Sequence, residues 1–215
     1  MLKKTLLFST ILMCQTVFAD SAIDKVSYAL GYEIAAQAPE NINLEQFIQG
    51  IREQKAKKEN RYTTEELTTA FQSVQESISA SQKEVSAKNT AAEQRFLKEN
   101  AKKSGVVTTA SGLQYKIEKA GAGRKPHATS VVTVHYKGRL LDGTVFDSSY
   151  DRDESIEIPL DQVIPGWTEG LQLLKTGSKA TLYIPAKLGY GEDGIPGTIP
   201  PNSTLIFDIE LLKVN

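Results

Sequence analysis

The spacing of apolar residues changes once along this chain, near Gly105. From Ser21 to about Lys103 the apolar residues recur every three or four positions, and this stretch has one proline and few glycines. After Gly105 apolar and polar residues alternate instead. The first spacing is typical of helices and the second of strands. We therefore predict an α+β protein with an all-helical N-terminal arm followed by an antiparallel sheet wrapped around one short helix.

The first two helices have clear sequence limits. The first is predicted over residues 22–37, because a residue that precedes a proline, here Pro39, disfavours the helical conformation. Asn43, with Gln46 three residues later, is a typical N-cap for the second helix. Each helix has an apolar stripe that we expect to be buried, Ile23, Val26, Leu30 and Ile34 in the first and Leu44, Phe47, Ile48 and Ile51 in the second.

A third helix is predicted to begin at Thr63, which forms a capping-box pattern with Glu66. No helix breaker follows before Gly105, so this helix reaches about 40 residues and about 60 Å. Its first half has a heptad-like seam, Leu67, Phe71, Val74 and Ile78. Residues 79–95 offer only Val85 and scattered alanines for burial, and we predict a solvated stalk there.

The helical arm is too small to form a stable core of its own. Its apolar stripes therefore need a covering surface. We predict a homodimer through residues 20–78, in which the stripes of two copies meet. The alternative is that the stripes fold back onto the C-terminal domain.

The C-terminal half contains several strand patterns and one helix pattern. Apolar residues alternate with polar ones in residues 113–118 and 132–137, and Asp142-Gly143 is a turn signal between two strand-like segments. Further strands are predicted over residues 178–184 and 204–212, and a helix over residues 167–174.

The N-terminus has the pattern of a cleaved signal peptide. A basic start precedes a short apolar run and Val17-Phe18-Ala19, so we predict cleavage after Ala19 and domain limits of 1–19, 20–103 and 104–215. A membrane anchor or a lipid on Cys14 is the less favoured alternative, because the apolar run is short and Met13 is large for a lipoprotein site. The protein is then expected to be exported.

Composition narrows the possible chemistry further. The content of 40% apolar and 24% charged residues is that of a globular protein. The mature chain would have no cysteine, which excludes disulfides and thiol chemistry. The signal segment has two of the 25 basic residues and none of the 26 acidic ones, so the mature chain has about three net negative charges. This balance argues against nucleic acid as a partner.

Two groups of polar residues are not predicted to form a metal or catalytic site. Asp151, Asp153 and Glu154 could suggest a metal, but a carboxylate cluster in a polar loop is usually a solvated face. His127 and His135 are isolated histidines, and we expect both to face solvent.

The remaining candidate is an apolar and aromatic set with one acid. Its members lie between residues 131 and 207: Tyr136, Phe146, Asp147, Val163, Ile164, Trp167, Tyr190, Ile199 and Phe207. The set has no nucleophile, metal cluster or phosphate loop, so its chemistry must come from desolvation and shape. Without further information these aromatic residues are ordinary core residues, and the segment Asp147-Ser148-Ser149 is equally consistent with a surface turn.

Four sequence motifs in this region resemble those of a known protein family. They are Val134-His135-Tyr136-Lys137-Gly138, Asp142-Gly143-Thr144-Val145-Phe146-Asp147-Ser148-Ser149, Val163-Ile164-Pro165-Gly166-Trp167-Thr168-Glu169-Gly170 and Leu188-Gly189-Tyr190-Gly191. Their order resembles that of the FKBP-type peptidyl-prolyl cis-trans isomerases, specifically the exported bacterial Mip- and FkpA-like branch. The resemblance implies the FKBP fold, with a pocket between helix and sheet.

The resemblance also implies roles for residues. Asp147, Tyr190, Phe146, Tyr136 and Phe207 would be catalytic, and the substrate-binding residues would be Trp167, Val163, Ile164, Ile199, Ile156, Ile158 and Ile195. It implies no cofactor and no metal. The partners would be proline-containing unfolded or partly folded polypeptides and FKBP-type macrolide inhibitors. The resemblance and the predicted signal peptide together would place the protein in the periplasm of a Gram-negative bacterium, or in association with its outer membrane or cell surface.

The predicted function is therefore acceleration of the folding of exported proteins by prolyl isomerisation in a desolvating pocket, together with chaperone activity. The alternative is a non-catalytic chaperone or binding protein that grips clients in a cleft between the arms of the dimer.

Overall fold

The computed structural model describes residues 21–38 and 42–215. By internal contacts the chain divides into two compact units, Met1–Thr64 and Glu65–Asn215. The predicted signal peptide, with Cys14 and the cleavage site after Ala19, lies outside the described residues. None of the helices in the described ranges is long and apolar enough to cross a membrane. The predicted domain limits at 19 and 103 remain predictions.

Two short helices begin the described chain. Helix α1 spans Ala22–Gln37, and its first turn is closed by a capping box in which Ser21 Oγ accepts from the Asp24 N–H and the Asp24 carboxylate accepts from the Ser21 N–H. Helix α2 spans Leu44–Lys55, and Asn43 Oδ1 accepts from the Gln46 N–H at 3.1 Å. The predicted limits of the first helix and the predicted cap of the second are both confirmed.

The apolar stripes of α1 and α2 are largely exposed in the single chain. Ile23 is 69% exposed and Leu44 is 59% exposed, and only Phe47 is partly buried. The expected burial of these stripes therefore does not occur within one copy. The other exposed members are Val26, Leu30, Ile34, Ile48 and Ile51.

Helix α3 spans Thr64–Asn100 without a break. Its 37 residues give a length of about 55 Å, close to the predicted value. In its first half the predicted seam is again exposed at Phe71, Val74 and Ile78.

The second half of α3 packs against the C-terminal domain, so the prediction of a solvated stalk over residues 79–95 is wrong from Val85 onwards, whereas residues 80–84 are exposed as predicted. From Val85 onwards, one side of the helix is half-buried, and Asn100 is fully buried. The ring of Phe96 lies 5.8 Å from that of Tyr183, and the Leu97 carbonyl accepts a hydrogen bond from Gln114 Nε2 at 2.8 Å. Apolar residues are few in this part of α3, but much of the contact uses polar side chains.

The C-terminal domain is an antiparallel sheet of seven strands with one α-helix. The strands are β1 (Val106–Thr108), β2 (Gln114–Lys119), β3 (Val131–Arg139), β4 (Val145–Ser148), β5 (Ile156–Pro159), β6 (Lys179–Ile184) and β7 (Leu205–Val214), and helix α4 spans Pro165–Gln172. The strand order is β1-β2-β6-β7-β3-β4, and β5 pairs with β3. The α+β class is confirmed, with β1 as a strand that the sequence pattern did not indicate.

The core lies between α4 and one face of this sheet. Alternate residues of β3 (Val132, Val134, Tyr136) and of β7 (Leu205, Phe207, Ile209, Leu211) are buried there. Gly166 and Gly170 face the sheet, where an added Cβ would lie 2.4 Å from the side chain of Ile184 and 2.5 Å from that of Leu182, respectively. The absence of a side chain therefore lets α4 lie directly on β6.

Strand β2 differs from its predicted burial pattern. Ile117 is 42% exposed, whereas Gln114 is only 3% exposed. Gln114 is buried because its amide bonds the end of α3, at the Leu97 carbonyl and at Asn100 Nδ2. The packing of α3 on this strand thus buries a polar side chain, Gln114, that simple alternation predicts to be exposed.

The turn between β3 and β4 forms where the sequence placed it. Gly143 has a φ of +92°, in the left-handed region that favours glycine, and its N–H donates to the Leu140 carbonyl at 3.1 Å. The turn brings Asp147 beside Gly138 in the β3–β4 register.

The close packing of α4 gives a stability prediction. Replacing Gly170 with alanine raises helix propensity but forces a methyl group into Leu182, so we expect a loss of about 1–3 kcal/mol in the free energy of unfolding. Urea unfolding followed by tryptophan fluorescence measures this. Gly50→Ala is the matched control, because Gly50 is a helical glycine with nothing within 4 Å of an added Cβ. Equal effects of the two substitutions would contradict the prediction.

Candidate active site

A cavity of about 590 Å³ opens between α4, the strands and the loop that precedes β7. All of the predicted site residues except Ile199 line it. They come from separated elements: Tyr136 from β3, Phe146 and Asp147 from β4, Ile156 and Ile158 from β5, Val163 and Ile164 from the entry to α4, Trp167 from α4, Tyr190 and Ile195 from the loop, and Phe207 from β7. Its volume is in the range of small-molecule and peptide side-chain sites.

Four aromatic rings form the wall and floor of the cavity. Trp167 meets Tyr136 edge to face at a centroid distance of 5.2 Å, and it meets Phe207 in the same way at 5.1 Å. Phe146 in turn lies edge to face with Phe207 at 5.4 Å. This arrangement is the favoured one for aromatic pairs, and three of the four rings are buried. The aromatic part of the cavity surface is therefore apolar and fixed in shape.

Gly138 on β3 makes room for two of these rings. An added Cβ there would lie 2.6 Å from the Phe146 ring and 2.8 Å from the Phe207 ring. Any larger residue would have to displace both phenyl groups.

The single acid in the cavity is held by two donors. Asp147 accepts a hydrogen bond from the Tyr136 hydroxyl and an ion-paired hydrogen bond from Arg152 Nη1 at 2.6 Å. Arg152 Nη2 also donates to the Tyr136 hydroxyl oxygen at 3.0 Å. Asp147 is thus part of a closed three-residue network and not of a free surface turn.

These contacts set the ionisation of the network. Partial burial works against the charge of Asp147, but hydrogen bonds from Arg152 and Tyr136 outweigh it and hold the pKa of that carboxyl below its ordinary value. Burial, together with the neighbouring Asp147 carboxylate, raises the pKa of the Tyr136 hydroxyl. The network therefore stays as carboxylate and neutral phenol at neutral pH.

Several hydrogen-bonding groups at the cavity have no protein partner among the described residues, and the buried Trp167 Nε1 is one of them. Two others are the Ile164 N–H, which precedes the first turn of α4, and the Tyr190 hydroxyl. Burial, and secondarily the charge of Asp147, raises the pKa of Tyr190, so its hydroxyl stays protonated. Both groups are donors available to a ligand.

Ile199 differs from the other predicted site residues, and three further residues belong to the site. Ile199 is 3% exposed and part of the hydrophobic core, and its backbone pairs with that of Ile195. Gln162 and Thr198 line the rim. Arg152 was missed because it stands between acidic residues in a segment read as a solvated loop.

The loop carboxylates and the two histidines differ in their exposure. Asp151, Asp153 and Glu154 are exposed, as is His127. His135 does not simply face solvent, since it is half-buried, its Nδ1 lies 3.0 Å from Ser149 Oγ and its ring stacks on Tyr150. Within residues 21–38 and 42–215, no cluster of three or more His, Cys, Asp or Glu side chains is arranged to hold a metal.

The N-terminal and C-terminal parts of the chain each match the model of a known protein family. Residues 122–212 match the family model of the FKBP-type peptidyl-prolyl cis-trans isomerase, and residues 23–117 match that of the domain amino-terminal to FKBP-type peptidyl-prolyl isomerase. Together these two models account for most of the described chain.

Individual relatives agree with this assignment. The chain is 45% identical over 204 residues to the probable FKBP-type peptidyl-prolyl cis-trans isomerase FkpA of Neisseria meningitidis, covering 90% of this chain and 75% of that one. It is 40% identical over 225 residues to a probable FKBP-type isomerase of Haemophilus influenzae, covering 98% and 93%. The crystal structure of FkpA from Escherichia coli matches with a TM-score of 0.67 at 38% identity, covering 91% and 97%.

The Asp147 network gives a prediction about acid stability. A carboxyl whose folded-state pKa is lowered stabilises the fold above its unfolded-state pKa of about 3.9, and this contribution is lost as the pH falls through the folded-state pKa. We therefore expect wild-type protein to be more stable than Asp147→Asn near neutral pH and the difference to shrink towards pH 3. Urea midpoints at several pH values measure this. A difference that does not change with pH would contradict it.

Proposed function

The chain belongs to the FKBP-type peptidyl-prolyl cis-trans isomerases, and we propose that it uses the cavity described above to isomerise Xaa–Pro bonds in exported proteins. The single observation that carries the proposal is the apolar cavity walled by four fixed aromatic rings with one ionised acid at its edge. The curated relatives come from Gram-negative bacteria such as Neisseria meningitidis and Haemophilus influenzae, which supports a periplasmic or outer-membrane location. The predicted signal peptide of residues 1–19 supports the same location.

The physical basis of catalysis is removal of water from the prolyl amide. Rotation about the peptide bond faces a barrier of about 18–20 kcal/mol, because resonance makes the amide planar. The planar form has the more polar carbonyl, so water stabilises it more than it stabilises the twisted form. An apolar cavity therefore favours the twisted transition state over the planar ground state. In this proposal the proline ring packs on Trp167.

The polar groups of the cavity hold the peptide while the amide twists. The Tyr190 hydroxyl donates to one substrate carbonyl and the Ile164 N–H donates to the next. Both donors lack a protein partner in the described chain, which supports their assignment to substrate. Asp147 lies beside the twisting amide, and its contacts with Arg152 and Tyr136 keep it in one orientation.

The rim of the cavity is aliphatic on two sides. Ile156 and Ile158 form one side and Ile195 lies in the loop opposite the sheet. We assign these residues to the side chain that precedes the proline, for which an apolar residue fits best. The FKBP-type macrolide inhibitors would occupy the same cavity.

The exposed stripes of the helical arm support dimerisation. Helices α1 and α2, and the first half of α3, leave large apolar residues exposed in the single chain, including Val26, Leu30 and Phe71. Surfaces of this kind mark interaction sites. We assign them to a second copy through residues 20–78, because the predicted seam in α3 is typical of helix–helix contacts. Two linked pockets would also hold a flexible client more strongly than one.

The catalytic proposal is tested by NMR exchange spectroscopy on an Xaa–Pro peptide. We expect wild-type protein to accelerate cis-trans exchange, and Asp147→Ala to reduce kcat/KM about ten-fold, the effect of losing about 1.4 kcal/mol of transition-state stabilisation. Tyr190→Phe removes one hydrogen bond of about 1 kcal/mol and should reduce it about five-fold.

Tyr183→Phe is the matched control for the tyrosine variant. Tyr183 lies on the other face of the sheet, against Phe96, and is not part of the cavity. Exchange that is no faster with folded wild-type protein than without it would leave the cavity as a binding groove. A non-catalytic chaperone would then be the better description.

The dimer is tested by sedimentation equilibrium of the mature chain at micromolar concentration. We expect a dimer for wild type and a monomer for Leu30→Asp, because a charged group cannot be buried in an apolar contact without a partner. Lys83→Asp is the control, since Lys83 is an exposed polar residue of α3 outside the seam. A wild-type monomer would contradict the proposal and return the exposed stripes to client binding.

A further inference from the structure

One polar face of α3 lies against both ends of the loop that carries Tyr190. This loop, residues 186–204, begins with a short 3-10 turn (Ala186–Leu188) and ends immediately before β7. We call it the Tyr190 loop. The residues of α3 that face it are Ser86, Asn89 and Glu93.

Glu93 joins the two ends of the Tyr190 loop through one atom. Its Oε2 accepts the Ala186 N–H at 2.6 Å and the Thr204 hydroxyl at 3.0 Å. Hydrogen bonds to a carboxylate are stronger than those between neutral groups. The bonds from one oxygen therefore hold the start and the end of the loop together.

A second set of bonds reaches the residue beside Tyr190. Asn89 Nδ2 donates to the Pro201 carbonyl at 2.8 Å, and Asn202 Nδ2 donates to Ser86 Oγ at 2.8 Å. The Asn202 N–H then donates to the Gly191 carbonyl at 2.8 Å. Asn202 therefore contacts α3 through its side chain and Gly191, the neighbour of Tyr190, through its backbone N–H.

Ala186, at the start of the loop, also bonds Gly191. The Gly191 N–H donates to the Ala186 carbonyl at 2.9 Å, and the Ala186 N–H is the group held by Glu93. Gly191 is thus linked to α3 through both its N–H, by way of Ala186, and its carbonyl, by way of Asn202. The Tyr190 hydroxyl has no hydrogen-bond partner among the described residues, so no bond at that end of the side chain compensates for a shift of this backbone.

We infer that Glu93 is a positioning residue for the isomerase reaction, holding the Tyr190 loop so that the Tyr190 hydroxyl meets the substrate carbonyl. The inference rests on the role proposed for Tyr190. It also gives Asn202-Ser203-Thr204 a structural role, because all three residues take part in the contact with α3.

The test compares two substitutions of Glu93 by the NMR exchange assay. Glu93→Ala removes both hydrogen bonds, and we expect kcat/KM to fall about five-fold, with faster hydrogen exchange at the Gly191 and Asn202 amides. Glu93→Gln keeps an oxygen that accepts both bonds, and its kcat/KM should stay within about two-fold of wild type. Glu84→Ala, an exposed acid on the same helix, is the control and should have no effect.

A double-mutant cycle separates positioning from general stability. If Glu93 acts through Tyr190, Glu93→Ala should change kcat/KM less than about two-fold in a Tyr190→Phe background. A five-fold loss in both backgrounds would overturn the inference, and so would wild-type kcat/KM in folded Glu93→Ala. If Glu93→Ala does not fold, Thr204→Val removes one of the two donors, and unchanged kcat/KM there would overturn the inference as well. Acceleration by wild type is a separate result, which tests the proposed function alone.

Discussion

The close approach of α4 to the sheet is the constraint on which the site depends. Gly166 and Gly170 let the helix lie on Ile184 and Leu182 with no side chain between them. At that distance Trp167 reaches the rings of Tyr136 and Phe207 on β3 and β7. A helix one methyl group further out would separate these rings, and the cavity floor would lose its fixed shape because packed side chains transmit small displacements.

The cavity has to be apolar for the amide and still hold a charged carboxylate. Four aromatic rings make it apolar, which favours a twisted amide, yet the same burial disfavours the charge of Asp147. Arg152 stabilises that charge, because it bonds both Asp147 and the Tyr136 hydroxyl. The charge is therefore kept at the solvent-facing edge of an otherwise apolar site, where it is oriented but not free to reorganise.

Much of this arrangement was predictable from sequence, and the reasons for the failures are physical. The limits of α1, the cap of α2 and the turn at Gly143 follow local rules, and the structure confirms each of them. Only the family resemblance assigned Ile156 and Trp167 to the site, since local patterns do not separate them from ordinary core residues. Arg152 has no such signal, because its role depends on a turn that folds it back onto β3 and β4.

Burial by hydrogen bonding was harder to predict than burial of apolar residues. The polar sequence of the second half of α3 predicts a solvated stalk, and the alternation of apolar and polar residues in β2 predicts an exposed Gln114. In the structure these polar groups bond each other or the backbone, so their burial carries little penalty. Apolar contacts are non-directional and tolerate small shifts, whereas hydrogen bonds require distances and angles within narrow limits. A polar face on α3 therefore suits a contact that must fix the register of a loop beside a site, and the exposed apolar seam at the other end of the same helix suits association.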